Sequence, residues 1–240
     1  MSNLSGLGQI SGQELYTDSA SQIHELGELR VDRQGLKFRY CQVGATSLVA
    51  GSLYQAAAQV ANHQDLTVVS GAAGSKQIVA TLGNTLASVN QYAGGWVVIT
   101  VTPGVGYCYK ISGHAAVAAL GDITLGLDDV VQVALTTTSR VDLIPNPYRN
   151  VILSIGGTNT GKIVGVANDI VTNAQWGWLQ TGGACCVLND AGTVVVGDQI
   201  SASNATAGAV ESGVAAQPSI GHALAGIAAN ERGAVWLMID

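Results

Sequence analysis

From Leu66 to the C-terminus, the chain consists of short runs of β-branched and aromatic residues, and glycine-bearing turns separate several of them. Examples are Leu66–Ser70, Trp96–Val101 and Val130–Leu135. Glycine supplies 31 of the 240 residues without the three-residue period of collagen, which indicates many tight turns. Long helical windows do not alternate with these runs, which disfavours a parallel sheet of βαβ units. The pattern predicts a mainly β protein of the sandwich or barrel type.

Changes in composition divide the chain into three parts. Residues 1 to about 30 are rich in Gly, Ser and Gln, and they predict an extended arm that gains order only against a partner. Leu53–Asn62 has good helix propensity, and both a short helix and an irregular linker remain open there. Pro145 and Pro147 interrupt the β pattern and mark a boundary. We therefore predict an N-terminal arm and linker over 1–64, a first β domain over 65–148 and a C-terminal β domain over 149–240.

One short segment, Arg30–Tyr40, concentrates the positive charge of the chain. It holds four of the ten basic residues, namely Arg30, Arg33, Lys37 and Arg39. From Leu36 onward apolar and polar residues alternate, which predicts a strand with Lys37 and Arg39 on one face. Two interpretations are open. The cations could pair with carboxylates of a partner, for which arginine is well suited, or they could form the solvated face of an amphipathic strand.

Charge and patterning exclude several classes of function. The net charge of −6 disfavours binding to nucleic acid, which needs a basic surface to displace counterions from phosphates. No window of about 18 apolar residues is present, so no membrane-spanning helix is expected. The first residues lack the features of a secretory signal. Four cysteines show no metal-binding or redox spacing, and we predict free, buried thiols at Cys41, Cys108, Cys185 and Cys186.

Motifs that would carry chemistry are weak throughout. Gly156–Lys162 fits the phosphate-loop pattern G-x-x-x-x-G-K, but Ile163 stands where Ser or Thr is needed, and a strand rather than a helix is predicted next. A hairpin loop is therefore the favoured interpretation. The four histidines lack metal-ligand spacing, and no serine lies in a nucleophile motif. We predict no catalytic site, no metal site and no cofactor.

Tryptophans offer the strongest candidates for contacts. Trp176 and Trp178 share one face of a predicted strand because they are two residues apart. Two such rings could stack on a sugar, or they could belong to the core or to an oligomer interface. The second interpretation is favoured because open apolar surface promotes aggregation in a chain with 11% charged residues. We assign Trp236, in the last apolar strand, to the same core or interface group.

Taken in order, these segments resemble the capsid decoration (cement) proteins of tailed phages. The resemblance covers most of residues 30–240, and its C-terminal part consists of Val196–Ile200, Ile220–Leu224 and Ala234–Ile239. It implies a C-terminal domain of the β-tulip type and a homotrimer on the outer surface of the virion capsid, made in the host cytoplasm. It also implies a structural, non-enzymatic role in which the major capsid protein is the partner.

Two functions follow from these observations. The first is capsid decoration, in which Arg30, Arg33, Lys37 and Arg39 are candidate capsid-binding residues. The alternative is a carbohydrate- or receptor-binding β module of a phage tail or fibre, for which Trp176 and Trp178 would form the binding platform. Exposure of these two rings over a groove would favour the alternative, and their burial would favour the first.

Overall fold

A computed structural model describes residues 8–10, 12–213 and 217–240 of the chain. The described residues are mainly β. Helical structure among them is limited to the four-residue helix α1 (Gly12–Leu15) and one 3₁₀ turn, Ala61–His63. Contacts within the chain define two compact units. The outer unit combines the chain up to Ala57 with the chain from Pro147, and the middle unit is Ala58–Asn146.

The strands are numbered in chain order. Those before the middle unit are β1 (Gly8–Gln9), β2 (Leu29–Val31), β3 (Lys37–Gln42) and β4 (Leu53–Gln55). Those of the middle unit are β5 (Leu66–Ser70), β6 (Gln77–Thr81), β7 (Trp96–Val101), β8 (Cys108–Gly113), β9 (Asp122–Leu127) and β10 (Arg140–Ile144). Those after it are β11 (Ile152–Leu153), β12 (Ile163–Val166), β13 (Trp176–Leu188), β14 (Gln199–Ala202), β15 (Val210–Ser212), β16 (Ser219–Ala223) and β17 (Arg232–Met238).

The middle unit is a closed barrel of six strands in the order β10-β5-β6-β9-β8-β7. Every neighbouring pair is antiparallel. Alternate residues point inward, as in β6, where Ile78 and Ala80 are buried between more exposed neighbours. Closure leaves no free strand edge, and the inward side chains fill one hydrophobic core. The prediction of a sandwich or barrel is confirmed for the middle unit, which is a barrel.

The outer unit is built on one large sheet whose main path is β1-β2-β3-β13-β17-β16-β14-β15, with β4, β11 and β12 attached beside it. The 13-residue strand β13 holds it together. The first half of β13 pairs with β3, and its second half pairs with β17. A register shift between Gln180 and Gly182 separates the halves. The sheet therefore joins the N-terminal segment to the C-terminal strands.

This pairing corrects the predicted division into domains 1–64, 65–148 and 149–240. The middle unit is close to the predicted first β domain, but the N-terminal part and the C-terminal β domain are one unit. The reason is that β3 pairs with β13 across more than a hundred intervening residues. Sequence composition carries no information about such a distant pairing.

Three local expectations also differ from the structure. Leu53–Gln55 forms β4 rather than a helix, because it pairs with β11 and β12 inside the outer unit. Val130–Leu135 is irregular and makes a single bridge, from Leu135 to Gly71, because the six-stranded ring is already closed without it. The predicted arm is ordered from Gly12 to Arg30 and packs on its own chain, while its residues 1–7 and 11 lie outside the described residues.

Candidate interaction surfaces

Two of the basic residues of β3 are paired with the last residue of the chain. Arg39 donates from Nε to Asp240 Oδ2 at 2.7 Å and from Nη1 to the Gly27 carbonyl at 2.7 Å. Lys37 donates from Nζ to the main-chain oxygen of Asp240 at 3.2 Å. Burial would raise the pKa of Asp240, but the hydrogen bond and charge of Arg39 outweigh it and lower this pKa below its usual value. On the predicted cationic face of β3, Arg39 is therefore neutralised by an ion pair within the chain, and Lys37 is held by a hydrogen bond to the same residue.

Arg30 belongs to a second ionic group. It donates from Nε to Glu28 Oε1 at 2.6 Å, and its Nη2 lies 3.3 Å from His24 Nδ1. Burial would raise the pKa of Glu28, but Arg30 and His24 outweigh it and lower this pKa. Arg33 is exposed in the turn before β3, and the described part of the chain offers it no hydrogen bond or ion pair. The four predicted capsid-binding residues thus form no single site.

Trp176 and Trp178 lie in the core of the outer unit, where they are 8% and 4% exposed. They share a buried cluster with Ile10, Phe38 and Tyr40. Tyr40 stacks on Trp176 at a centroid distance of 5.9 Å and meets Trp178 edge-on at 5.1 Å. The two indoles are on one face, as their spacing predicts, but this face does not form an open platform.

The N-terminal segment covers this aromatic cluster. His24 contacts Trp178 at 5.2 Å between ring centroids, and its Nε2 lies 2.9 Å from Glu14 Oε1. Ile23 N–H donates to the Tyr40 hydroxyl at 3.2 Å, and Ser19 exchanges two main-chain hydrogen bonds of 3.0 Å with Trp176. A cavity of about 310 Å³ remains between the segment and the rings. Part of the predicted arm therefore acts as a cover for its own core.

Trp236 differs from the other two tryptophans because it is 49% exposed. In β17 alternate residues Val235 and Leu237 are buried, so Trp236 and Met238 point to the opposite face. Register places the apolar Ala184 of β13 and the polar, exposed His222 of β16 beside Trp236. We name the apolar part of this surface the Trp236 face and define it by Ala184, Cys186, Leu224, Ala234, Trp236 and Met238, all of which are exposed.

The apolar character of the Trp236 face is unusual for its position. An antiparallel sheet with one face on the core normally presents polar side chains on the other face. A groove of about 630 Å³ adjoins this surface, shares Ala184 and Cys186 with it, and is also lined by the exposed side chains of Tyr16, Val49 and Ile170. Contiguous exposed apolar surface of this kind is typical of protein contact sites.

A second apolar surface lies on the middle unit and was missed by the sequence analysis. Residues 83–90 and 114–121 form two paired loops, which we name the barrel ribbon. Ala87 and Val117 exchange main-chain hydrogen bonds of 2.9 Å, and Leu120 N–H donates to the Gly83 carbonyl at 3.0 Å. Ala87 and Val117 pack on the barrel core. The side chains of Leu86, Val89 and Leu120 are exposed.

The sequence marks the region of the barrel ribbon by its lack of charged residues. No Asp, Glu, Lys or Arg occurs between Lys76 and Lys110, or between Lys110 and Asp122. Such a stretch can be buried, or it can be an uncharged contact surface. Only the three-dimensional structure shows which of its apolar residues are outside.

The cysteines divide into two pairs, which corrects the prediction of four buried thiols. Cys41 and Cys185 are buried, and burial raises the pKa of each to about 12. Cys108 and Cys186 are exposed because they point outward on β8 and β13. Burial also raises the pKa of Cys108, though it is only partly enclosed.

We expect a thiol reagent such as iodoacetamide to modify two cysteines in the native protein at pH 8 and four in denaturant. The reactive species is the thiolate, which Cys41 and Cys185 do not form at this pH because their pKa is about 12. Mass spectrometry with peptide mapping should find Cys108 and Cys186 modified in a sample dilute enough for the chain to be a monomer. Modification of Cys41 in the native protein would contradict the buried position of that thiol.

The segment that fits the phosphate-loop pattern is a connection between two strands. Gly156–Lys162 connects β11 to β12, and the strand Ile163–Val166 follows it where a phosphate loop needs a helix, as predicted. Within residues 8–10, 12–213 and 217–240, no group of three or more His, Cys, Asp or Glu side chains is placed to hold a metal ion. No helix of the described chain is long and apolar enough to cross a membrane.

Comparisons with known protein families, with curated proteins and with solved structures were made for the whole chain. None of the three found a match. The fold and the two exposed apolar surfaces are therefore the observations from which a function has to be argued.

Proposed function

We propose that this chain is a structural virion protein, a capsid decoration protein that binds the outer face of a phage shell formed by the major capsid protein and stabilises that shell. The observation that carries the proposal is the presence of two exposed apolar surfaces, the Trp236 face and the barrel ribbon, on a protein built of tightly paired strands. Surfaces of this kind are suited to protein contacts rather than to free solution. The role is non-enzymatic, and its place is the outside of the capsid after synthesis in the host cytoplasm.

Self-association is the part of this proposal that the Trp236 face supports. We propose a homotrimer in which the Trp236 face and the adjoining groove contact a second copy. Trp is the residue type most enriched at energetic centres of interfaces. The finer assignment of the outer unit to the β-tulip type belongs to the same proposal, because it comes from the resemblance to decoration proteins.

Trimer formation would also explain how weak contacts hold a shell together. Contacts that act together from one particle can raise avidity by about 10²–10⁴ over a single contact. Each subunit then needs only a small shell-binding surface. Arg30 and Arg39 support shell binding less than expected from the sequence, because they already pair with Glu28 and Asp240 of the same chain.

The alternative function, a carbohydrate- or receptor-binding module, receives less support. It depends on an open aromatic platform at Trp176 and Trp178, and both rings lie in the core beneath the N-terminal segment. Binding on a glycan array would favour this alternative over capsid decoration.

The direct test of the proposal is co-sedimentation of the purified protein with intact phage heads that lack a decoration protein. We expect saturable binding at a fixed number of copies per head and a higher temperature of head disruption. Absence of binding to heads from several tailed phages would contradict the proposal.

We expect Trp236→Ser to reduce the mass of the particle in solution. Light scattering after size exclusion should give about three times 24.4 kDa for the parent and a value close to one chain for the variant at micromolar concentration. Val69→Ser is the matched control, because Val69 is also an exposed apolar strand residue but lies on the barrel. An unchanged mass for Trp236→Ser would exclude the Trp236 face as the subunit contact.

A further inference from the structure

We propose that the outer face of the barrel ribbon is the surface through which this protein attaches to the capsid shell, by apolar contact and without charge recognition. The inference rests on the proposed function, since it takes a shell of repeated protein subunits as the partner. It assigns a surface that is distinct in sequence from the Trp236 face. Leu86, Val89 and Leu120 are the expected contact residues.

Leu120 carries the main argument because its conformation is costly and its side chain does little for the fold. Its φ of +63° lies in the left-handed region, where a bulky residue is strained. The side chain is 67% exposed, so the barrel core gains little from it. A strained, exposed and apolar residue is best explained by a contact outside the chain.

Equivalent loops in the same chain show which residue types occupy the position that corresponds to Leu120. Four loop residues form isolated bridges in two pairs, Ala87 with Val117 and Val194 with Ile227. Three residues after each bridge residue the backbone has a positive φ. The residues at these four points are Asn90 (φ 54°), Leu120 (φ 63°), Gly197 (φ 86°) and Asn230 (φ 60°). Asn and Gly tolerate this conformation, and Leu120 is the exception.

Charge and area decide what kind of partner fits. The ribbon lies in the stretch in which Lys110 is the sole charged residue between Lys76 and Asp122, so it offers a partner no ionic recognition. Residues 83–90 and 114–121 present three large exposed apolar side chains, whereas a stable pair takes roughly 20–30 residues from each partner. A single interface of this size binds its partner weakly. It suits a partner with many identical sites, where linked subunits bind together.

The test uses Leu120→Asn in the full chain, with binding to undecorated phage heads measured by co-sedimentation. We expect the affinity to fall by at least about tenfold, because a large apolar side chain leaves the contact. We expect the melting temperature to stay the same or to rise, because Asn relieves the left-handed strain. A gain in stability with a loss of binding is the signature of a contact residue.

Two further variants complete the design. Leu86→Asn removes the neighbouring apolar side chain without any change at Leu120 and should also weaken binding. Val105→Asn is the matched control, because Val105 is likewise exposed on the barrel but lies in the loop between β7 and β8. Its binding should equal that of the parent. Binding of the parent should also persist between about 0.1 and 0.5 M salt, since exposed ionic contacts would be screened over this range.

Each outcome separates this inference from the proposed function. If the parent protein does not bind heads, the proposed function fails and the inference fails with it. If the parent binds but Leu120→Asn and Leu86→Asn bind equally well, the inference is wrong and the function stands. A loss of solution mass in Leu120→Asn would assign the ribbon to a second copy of this chain. Loss of parent binding at high salt would assign attachment to charged residues such as Arg33.

Discussion

Trp178→Ala is expected to lower the free energy of unfolding by about 3–5 kcal/mol, the usual cost of truncating a large buried aromatic side chain. Trp178 is 4% exposed and lies against the rings of Tyr40 and His24 at 5.1 and 5.2 Å. Its removal leaves a cavity where the N-terminal segment meets the sheet. Part of the loss therefore comes from contacts that keep this segment in place.

Urea or guanidinium denaturation monitored by circular dichroism measures the effect. Limited proteolysis adds a second readout, because the segment around Ile23 should become cleavable in the variant. Trp236→Ala is the control, and we expect less than about 1 kcal/mol at a concentration where the chain is a monomer, since an exposed side chain leaves no cavity. Equal losses for both variants would contradict the different burial of the two indoles.

Gly221→Ala is expected to destabilise the outer unit by about 3 kcal/mol or more, at the upper end of the cost of overpacking. A methyl group at this position would collide with the carbonyl oxygen of Trp236 and lie 3.2 Å from Leu237 Cα. Both atoms belong to the backbone of β17, which cannot move without breaking the pairing of β16 with β17. Relief by a side-chain rotation is therefore impossible.

Gly226→Ala provides the matched control for this substitution. The nearest atom to its added methyl group would be the Val194 carbonyl oxygen at 3.6 Å, an ordinary contact. We expect a change within about 0.5 kcal/mol. Thermal unfolding of the two variants under identical conditions makes the comparison. A Gly221→Ala protein as stable as Gly226→Ala would show that the backbones of β16 and β17 are not so close.

Two strands of the barrel could be predicted from the sequence with their exact bounds, whereas β10 was not predicted. Leu66–Ser70 and Trp96–Val101 were recognised with the bounds that β5 and β7 have in the structure. These runs combine β-branched residues with nearby turns, so local preference and the final fold agree. Val130–Leu135 is also rich in β-branched residues, but it makes only one isolated bridge, from Leu135 to Gly71. Composition alone cannot tell a strand with a partner from one without.

The partners of the candidate site residues could not be predicted. Lys37 and Arg39 meet Asp240 because β3 and β17 both pair with β13. That proximity depends on a register formed across the whole chain. The exposure of Trp236 has a similar origin. Its strand is apolar on both faces, so the alternation that usually reveals the solvent side is missing.

The order in which the chain is made has a consequence for the sheet of the outer unit. The residues of the barrel are contiguous, so a nascent chain can close it soon after Asn146 leaves the ribosome. Strand β3 leaves the ribosome earlier but must wait for β13, and β13 in turn waits for β17. During that interval Phe38 and Tyr40 have no permanent cover, and this is when crowded nascent chains are at greatest risk of joining wrongly.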